Sequence, residues 1–261
     1  MDNIKNYFKQ HKKSSIIISS ILGVFLIGFL IFKFAYPAYE THKASSYRAK
    51  ITKTKGHGTQ QMPKGKFKYD PSTKTPDLAT LQRLAKEGAK DSKLRGFIFI
   101  PSAGIKELPV YEGVNPYTLS LGAGTAKPWQ VAGKGNYAIE AHNYIKLRGG
   151  QDWFLSRLQT EVAPAGNYSA KYIRPKNGDV IELTDGQNLA KYKIISRKII
   201  GINAPYATTM LTDRYVNAFP NKKPLITLAT CFEQNGITYP NQRIVVTGEL
   251  TSIKPIKDIK K

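Results

Sequence analysis

From residue 96 to residue 250 the sequence is a series of short apolar runs, and this pattern restricts the fold more than any other feature. At least seven runs are typical of β-strands in length and composition. They cover residues 97–100, 108–111, 137–142, 180–183, 190–200, 225–231 and 243–250. Turn-forming residues separate them, and short helices are indicated only at Pro116 to Leu121 and Asp152 to Gln159. The pattern predicts a mainly β protein with a closed or nearly closed β-barrel.

A separate hydrophobic segment lies near the N-terminus. Ile16 to Phe32 holds seventeen residues without a charge, at the short end of the ~17–25 residues that cross a bilayer core. Four lysines precede it, so the positive-inside rule keeps the N-terminus in the cytoplasm. A cleaved signal peptide is the alternative, although its apolar region is usually only ~7–15 residues. We predict a single-pass plasma-membrane protein whose main domain is extracellular.

These observations predict a division of the chain into six parts. They are a cytoplasmic tail at 1–13, a transmembrane signal anchor at 14–36, a flexible basic linker at 37–74, an N-terminal helix with its lead-in at 75–95, a catalytic β-barrel at 96–251 and a basic C-terminal tail at 252–261. The helix is predicted from Thr75-Pro76-Asp77, which resembles an N-cap followed by proline and an acid in the first turn.

The formal net charge of +22 is unevenly spread, because residues 1–95 hold 19 Lys and Arg against 6 Asp and Glu. Such an excess attracts polyanions outside the membrane, either acidic lipid headgroups or phosphate-rich wall polymers. The basic residues are not interleaved with aromatic side chains in a stacking pattern, so nucleic acid is not a predicted partner.

One cysteine, Cys231, ends the strand-like run 225–231. Arg243 opens the next run, and His142, the only histidine after His57, closes an earlier one. A thiol near a fixed positive charge and an imidazole base is an arrangement for nucleophilic catalysis. Each residue also has a structural interpretation: an inert buried cysteine, a strand-end histidine and an arginine that extends to solvent.

Four fragments in chain order resemble the sortase family. They are Gly96 to Gly113 as its first two strands, Gly122 to Thr125 with Gly135 to Asn143 as the approach to its histidine, Thr227-Leu228-Ala229-Thr230-Cys231 as its TLxTC signature, and Gln242 to Leu250 as its arginine-bearing strand. The resemblance covers roughly residues 96–250, and the subclass that it indicates is a housekeeping, class A-like sortase. It implies a closed eight-stranded sortase-type β-barrel with a few short helices.

The resemblance also implies an activity. A sortase cleaves an LPXTG-type sorting signal of a secreted protein between Thr and Gly through a thioacyl-enzyme. It then transfers the protein to an amine of the peptidoglycan precursor (lipid II type) in Gram-positive bacteria. Carried over to this chain, Cys231 is the nucleophile, His142 exchanges protons with the leaving and incoming amines, and Arg243 holds the substrate and stabilises charge on the scissile carbonyl.

The neighbours of these residues are candidates for substrate binding. They are Glu140, Ala141, Ala229 and Thr230, with Pro205 and Met210 from the segment that resembles the family's signal-recognition loop. Glu140 shares a strand face with His142, so we expect it to favour the imidazolium and raise the pKa of His142. No cofactor is expected, and no metal, because residues 123–135 contain two lysines and no acids.

Two alternatives remain open at this point. A pilin-polymerising sortase often carries an Asp-Pro-aromatic lid, but Asp70-Pro71 is followed by Ser72. A membrane-tethered basic domain that adheres to wall polymers without catalysis is the non-enzymatic alternative. Other wall-directed cysteine enzymes fit less well, because papain-like hydrolases place the cysteine before the histidine and L,D-transpeptidases carry a Ser-x-Gly-Cys motif.

Overall fold

The structure is a computed structural model that describes residues 12–35, 39, 42, 75–185, 187–203, 209–238 and 240–255. Most of the predicted cytoplasmic tail and linker, and the end of the basic C-terminal tail, lie outside the described residues. The chain divides into two units, at residues 1–45 and 46–261.

The first unit contains α1 (Lys12–Leu30), continued by a π-helical turn (Ile31–Ala35). Its apolar side chains are exposed from Ile21 to Phe34. Within the described part of the chain, no helix meets both the length and the apolarity that a bilayer crossing requires. The predicted transmembrane helix at 14–36 is therefore not confirmed.

The second unit is built around eight strands. They are β1 (Leu94–Ile100), β2 (Ile105–Tyr111), β3 (Ala123–Thr125), β4 (Asn136–Glu140), β5 (Val180–Thr184), β6 (Asn188–Gly201), β7 (Leu225–Cys231) and β8 (Gln242–Pro255). They close into a barrel in the order β1-β2-β3-β4-β7-β8-β6-β5. The predicted closed eight-stranded barrel is confirmed, and β1 and β8 extend beyond the predicted bounds of 96 and 251.

Closure depends on a close approach between β1 and β5. Gly96 has a φ of +153°, and a Cβ atom there would lie 1.6 Å from the carbonyl oxygen of Thr184. A side chain at this position would therefore push β5 away from β1. The two strands pair from the next residue onward, where Phe97 lies opposite Thr184. Glycine is required here both by its φ and by the space.

The helices are short. α2 (Leu78–Gly88) begins after the N-cap Asp77, whose side chain accepts a hydrogen bond from the Thr80 amide, so the cap is Asp77 and not Thr75. The predicted helix at 116–121 is α3 (Pro116–Leu121), but the one predicted at 152–159 is two 3-10 turns, Gly150–Asp152 and Ser156–Leu158. Further 3-10 helices cover Pro101–Ala103, Ala170–Tyr172, Thr209–Leu211 and Asp213–Ala218.

The alternation of side chains along the strands gives the barrel two apolar regions. The interior is one cluster that includes Ile139 on β4, Leu228 on β7 and Val246 on β8. A smaller cluster covers the outer face of the sheet, where Ala229 and Val245 pack with Met210 and Tyr215 from the β6–β7 connection. The outer face of β4, β7 and β8 is thus enclosed by a second layer.

Candidate active site

Two of the candidate catalytic residues lie on neighbouring strands, and the third follows the end of the next strand, at one end of this enclosed outer face. Cys231, the last residue of β7, is the register partner of Arg243 on β8. β4 runs parallel to β7 with Glu140 opposite Ala229, and the Ala141 amide donates to the Ala229 carbonyl over 3.2 Å. His142 therefore follows β4 on the side of β7 where Cys231 ends its strand. Residues far apart in sequence form one row across three strands.

Aromatic side chains surround the imidazole of His142. Its ring makes edge contacts with Tyr144 and Phe154, at centroid distances of 5.8 and 6.2 Å. Phe154 has a φ of 47°, a conformation that costs energy for a bulky residue and persists where the surroundings require it. The His142 carbonyl also accepts from the Leu155 amide over 3.3 Å. The ring is therefore buried and its orientation is constrained.

The charges of the row follow from this burial. Burial and the charge of Arg243 together lower the pKa of His142 to about 4. Burial raises the pKa of the half-buried Cys231 thiol, with smaller contributions from Glu233 and Glu140, although Arg243 opposes the rise. At pH 7 the thiol and the imidazole of this row are therefore both neutral in the free enzyme. A proton can pass from sulfur to nitrogen when a bound substrate draws the sulfur into attack.

Glu140 does not have the electrostatic role predicted for it. Burial raises the pKa of its carboxyl to about 8 against the opposing charge of Arg243. The acid is thus mostly neutral at pH 7 and cannot favour the imidazolium. The pKa of His142 is lowered by burial and by Arg243, and Glu140 is not among the causes, so the predicted rise is not found. Glu140 Oε1 has no hydrogen-bond partner among the described residues.

Arg243 is the charged member of the row. It is only 8% exposed, and its Nη1 donates to the carbonyls of Pro240 and Gln242 over 2.9 and 3.0 Å. These backbone bonds hold the guanidinium at the start of β8, beside the end of β7. A guanidinium in this position can stabilise an oxyanion formed on a substrate that is attached to the sulfur.

An apolar groove adjoins Arg243 on the outer face. Its lining consists of Ile200, Ile202, Met210, Leu211, Ala229, Arg243 and Val245. Two predicted substrate-binding residues, Ala229 and Met210, thus lie together with Arg243 in one groove. Glu140 borders it through its register with Ala229. Pro205 lies outside the described residues.

The two remaining predicted substrate-binding residues are not in the groove. Ala141 belongs to the interior apolar cluster. Thr230 is 2% exposed, and its hydroxyl donates to the Ala141 carbonyl over 2.7 Å. Each is one residue from a groove or row residue, and strand alternation places it on the opposite face. The structure does not bring Ala141 and Thr230 to the groove.

A lysine fixes the position of the segment that carries Met210. Lys127 Nζ contacts Asp213 Oδ1 at 2.7 Å and donates to the Asn136 carbonyl over 2.5 Å. Asn136 in turn donates from its side chain to the carbonyls of Met210 and Thr212. The ammonium and the amide thus link the start of β4 to the β6–β7 connection. Nothing in the sequence pairs Lys127 with Asp213, because 86 residues separate them.

A second cavity, of about 850 Å³, lies on the His142 side of the row. It is bounded by residues 143–147, which follow His142, by Glu233 and residues 235–238, which follow Cys231, and by residues 75–78. An ion pair between Lys146 and the nearly buried Glu233, 2.9 Å apart, crosses it. Among the described residues no group of His, Cys, Asp and Glu has the composition of a metal site.

The fold and site define a class of protein: a β-barrel enzyme that can use a thiol for acyl transfer. The sortase-domain family model matches residues 98–251. The chain belongs to the sortase family, and it is a cysteine transpeptidase. Sortase A of Bacillus anthracis is 28% identical to it over 246 residues, covering 92% of this chain and 98% of that protein.

Two further comparisons concern Listeria monocytogenes. Its sortase A is 28% identical over 247 residues, covering 92% of this chain and 91% of that protein. A crystal structure of sortase A from the same species has a TM-score of 0.46 and 26% identity, covering 62% of this chain and 90% of that chain.

Proposed function

We propose that this transpeptidase cleaves an LPXTG-type sorting signal between Thr and Gly and joins the protein to an amine of the cell-wall precursor. The observation that carries the proposal is the row of His142, Cys231 and Arg243 across β4, β7 and β8, with Cys231 and Arg243 in register. The groove beside Arg243 has an apolar lining but a volume of only about 20 Å³, so its walls must move apart to admit the apolar Leu and Pro of such a signal. Ala229 and Met210 are its proposed contacts.

The proposed acylation begins from the neutral pair. As the sulfur of Cys231 bonds to the threonine carbonyl carbon, the thiol proton passes to the imidazole of His142. Arg243 stabilises the negative oxygen of the tetrahedral intermediate. The carbon–nitrogen bond then breaks, and the imidazolium returns the proton to the leaving amine. The product is a thioester between Cys231 and the threonine.

Deacylation repeats these steps in reverse with a new amine. The amine attacks the thioester and His142 accepts its proton. The carbon–sulfur bond then breaks, and the imidazolium passes that proton to the sulfur to regenerate the thiol. Since His142 serves both amines, both must approach from its side of the row. The cavity on that side is accordingly the proposed route for the wall precursor.

The N-terminal unit supports a further part of the proposal, namely that it anchors the enzyme in the plasma membrane with the barrel outside. The run Ile16 to Phe32 is free of charge until Lys33, and the described part of α1 exposes its apolar side chains. Fractionation of cells that express the full chain, with a variant lacking residues 1–36 as control, tests this. Recovery of both proteins in the soluble fraction would contradict it.

The activity is tested with a fluorogenic LPXTG peptide and the full chain, with and without an added amine. Cleavage together with ligation of the amine is the expected result, and hydrolysis alone would limit the function to a peptidase. Supplying either an oligoglycine or a lysine side chain as the amine separates transfer to a wall precursor from pilin polymerisation. Cleavage by the Cys231→Ala variant would exclude the proposed nucleophile.

A further inference from the structure

The hydrogen-bonded ladder between β4 and β7 ends before it reaches the catalytic row. Its last backbone bond joins the Ala141 amide to the Ala229 carbonyl. In a parallel ladder the next such bond would run from the amide of residue 143 to the Cys231 carbonyl. β4 ends at Glu140 and Ala141 makes the last of these bonds, so the ladder does not set the separation between His142 and Cys231.

The side chain of Asn143 supplies the missing bond. Its Nδ2 donates to the Cys231 carbonyl over 2.9 Å, one ladder step beyond Ala141. Its Oδ1 accepts from the Ile145 amide over 3.0 Å, which fixes the turn after His142. Asn143 is 2% exposed. An asparagine amide can replace a backbone group in this way where a strand has ended.

Gln159 holds the Asn143 amide in place. Gln159 Oε1 accepts both from Asn143 Nδ2, over 2.8 Å, and from the Glu233 amide, over 2.9 Å. Gln159 Nε2 donates to the carbonyls of Glu233 and Glu161, each over 2.7 Å. Both hydrogens of each amide nitrogen and both amide oxygens are therefore used, and Gln159 is fully buried. A buried network with every group satisfied has one low-energy arrangement.

We propose that Asn143 is a positioning residue that sets the distance between the His142 imidazole and the Cys231 sulfur. The inference rests on the proposed function, since it concerns the proton transfer between these two groups. Asn143 immediately follows the base and bonds to the carbonyl of the nucleophile, so a change in its length moves one against the other. A displacement of about 1 Å in such a pair can reduce the rate by about 100-fold.

The test compares two variants, each of which removes a buried side-chain amide. One amide follows β4 in the chain, and the other is hydrogen-bonded to β4. Asn143→Ala should lower kcat by about 10- to 100-fold and leave KM for the peptide within about twofold, because Asn143 is outside the groove. Gln130→Ala is the matched control. Gln130 is 6% exposed, donates to the Ala138 carbonyl over 2.8 Å and accepts from the Ala138 amide over 2.6 Å. It should lower the melting temperature similarly but change kcat by less than about twofold.

The proposal is overturned if both variants lower kcat equally, or if Asn143→Ala changes only KM or only stability. If the alanine variant does not fold, Asn143→Ser keeps a shorter hydroxyl donor and should lower kcat by at least about fivefold.

Alkylation of Cys231 by iodoacetamide at neutral pH provides a readout without the peptide. Its rate should fall severalfold in Asn143→Ala and remain unchanged in Gln130→Ala, and an unchanged rate in both contradicts the positioning role. If the wild type alkylates normally but does not cleave the peptide, the proposed function fails and the alkylation result alone decides this proposal.

Discussion

The inner and outer faces of β4, β7 and β8 are formed by alternate residues of the same strands, yet they differ in chemistry. The inner face presents Ile139, Leu228 and Val246 to the barrel core. The outer face carries Glu140, Cys231 and Arg243, of which Glu140 and Arg243 are each only 8% exposed although they are polar. Burial of apolar groups stabilises the fold, whereas burial of a polar group is costly unless it is paired.

The comparison shows how one sheet can provide stability and reactivity separately. The inner face determines whether the barrel forms. The outer face uses burial to shift pKa values and to hold Arg243 beside the thiol, at a cost that the inner face offsets. Truncations on the inner face should therefore lower stability and leave turnover nearly unchanged. Loss of an outer-face residue of the row should lower turnover and leave stability nearly unchanged.

The largest contrast is expected between Cys231→Ala and Leu228→Ala on the same strand. Loss of the nucleophile should reduce turnover by at least about 1,000-fold while leaving the melting temperature nearly unchanged. The core truncation should cost about 2–5 kcal/mol of stability and leave turnover per folded molecule within about threefold. Peptide cleavage and thermal unfolding of both variants measure this. Similar activity losses in both would show that the two faces are not separable.

Arg243→Ala should give the next largest effect, a fall in kcat of about 100- to 1,000-fold, because it removes the proposed oxyanion partner. Lys193→Ala is a suitable control, since it removes an exposed cation from β6. Steady-state kinetics on the sorting peptide distinguish the two. If Arg243→Ala raised only KM, the guanidinium would bind substrate without stabilising the transition state.

A smaller effect is expected from loosening the layer above the outer face. Lys127→Met removes the ammonium that joins Asp213 to the start of β4, so the segment carrying Met210 is then held by the Asn136 amide bonds and the Asp213 contact with the Asn136 backbone. KM for the peptide should rise about tenfold, with kcat within about threefold. Arg83→Met, which breaks an exposed ion pair with Glu87 on α2, is the control and should change neither. An unchanged KM in Lys127→Met would mean that this segment is not part of the peptide site.

The substitution Glu140→Gln should have the smallest effect on turnover, and its main effect should be on the stability of the fold. Its folded pKa is about 8 against an ordinary 4.5, so the folded state binds an extra proton between these values and loses stability as the pH rises from about 4.5 to 8. Glu140→Gln removes this loss. The variant and wild type should unfold alike near pH 4, and the variant should be more stable by on the order of 4 kcal/mol at pH 8.

Thermal unfolding across this pH range measures the difference. A constant difference between Glu140→Gln and wild type from pH 4 to pH 8 would show that the carboxyl ionises normally. Cleavage at pH 7 should stay within about threefold, since a neutral acid and an amide are similar in shape and polarity.

The barrel could be predicted from the sequence because strand alternation and turn residues are local signals. Seven of the eight strands follow from their apolar runs. β3 does not, because Ala123-Gly124-Thr125 is too short to show a pattern and is defined by its neighbours. The helix expected at 152–159 is interrupted because the backbone at Phe154 adopts a positive φ beside His142, a tertiary constraint.

The proposed catalytic row could be inferred because cysteine occurs once and histidine four times in this chain, and Arg243 opens the strand-like run that follows Cys231. The electrostatics could not, since a pKa depends on burial that the sequence does not reveal, and Glu140 and His142 both shift with burial as the first cause. The contacts of Asn143 with Gln159 and of Lys127 with Asp213 join distant segments through common residue types. Ala141 and Thr230 were expected at the substrate site because they adjoin His142 and Cys231 in sequence. Strand alternation places them on the opposite face.

The most direct test of the account is intact-mass analysis of the full chain during reaction with an LPXTG peptide. The account predicts that the enzyme gains the mass of the peptide up to its threonine, that the added mass is on Cys231, and that an amine removes it with formation of the ligated product. A chain that cleaves the peptide with no adduct on Cys231, or an adduct that persists in Cys231→Ala, would contradict it.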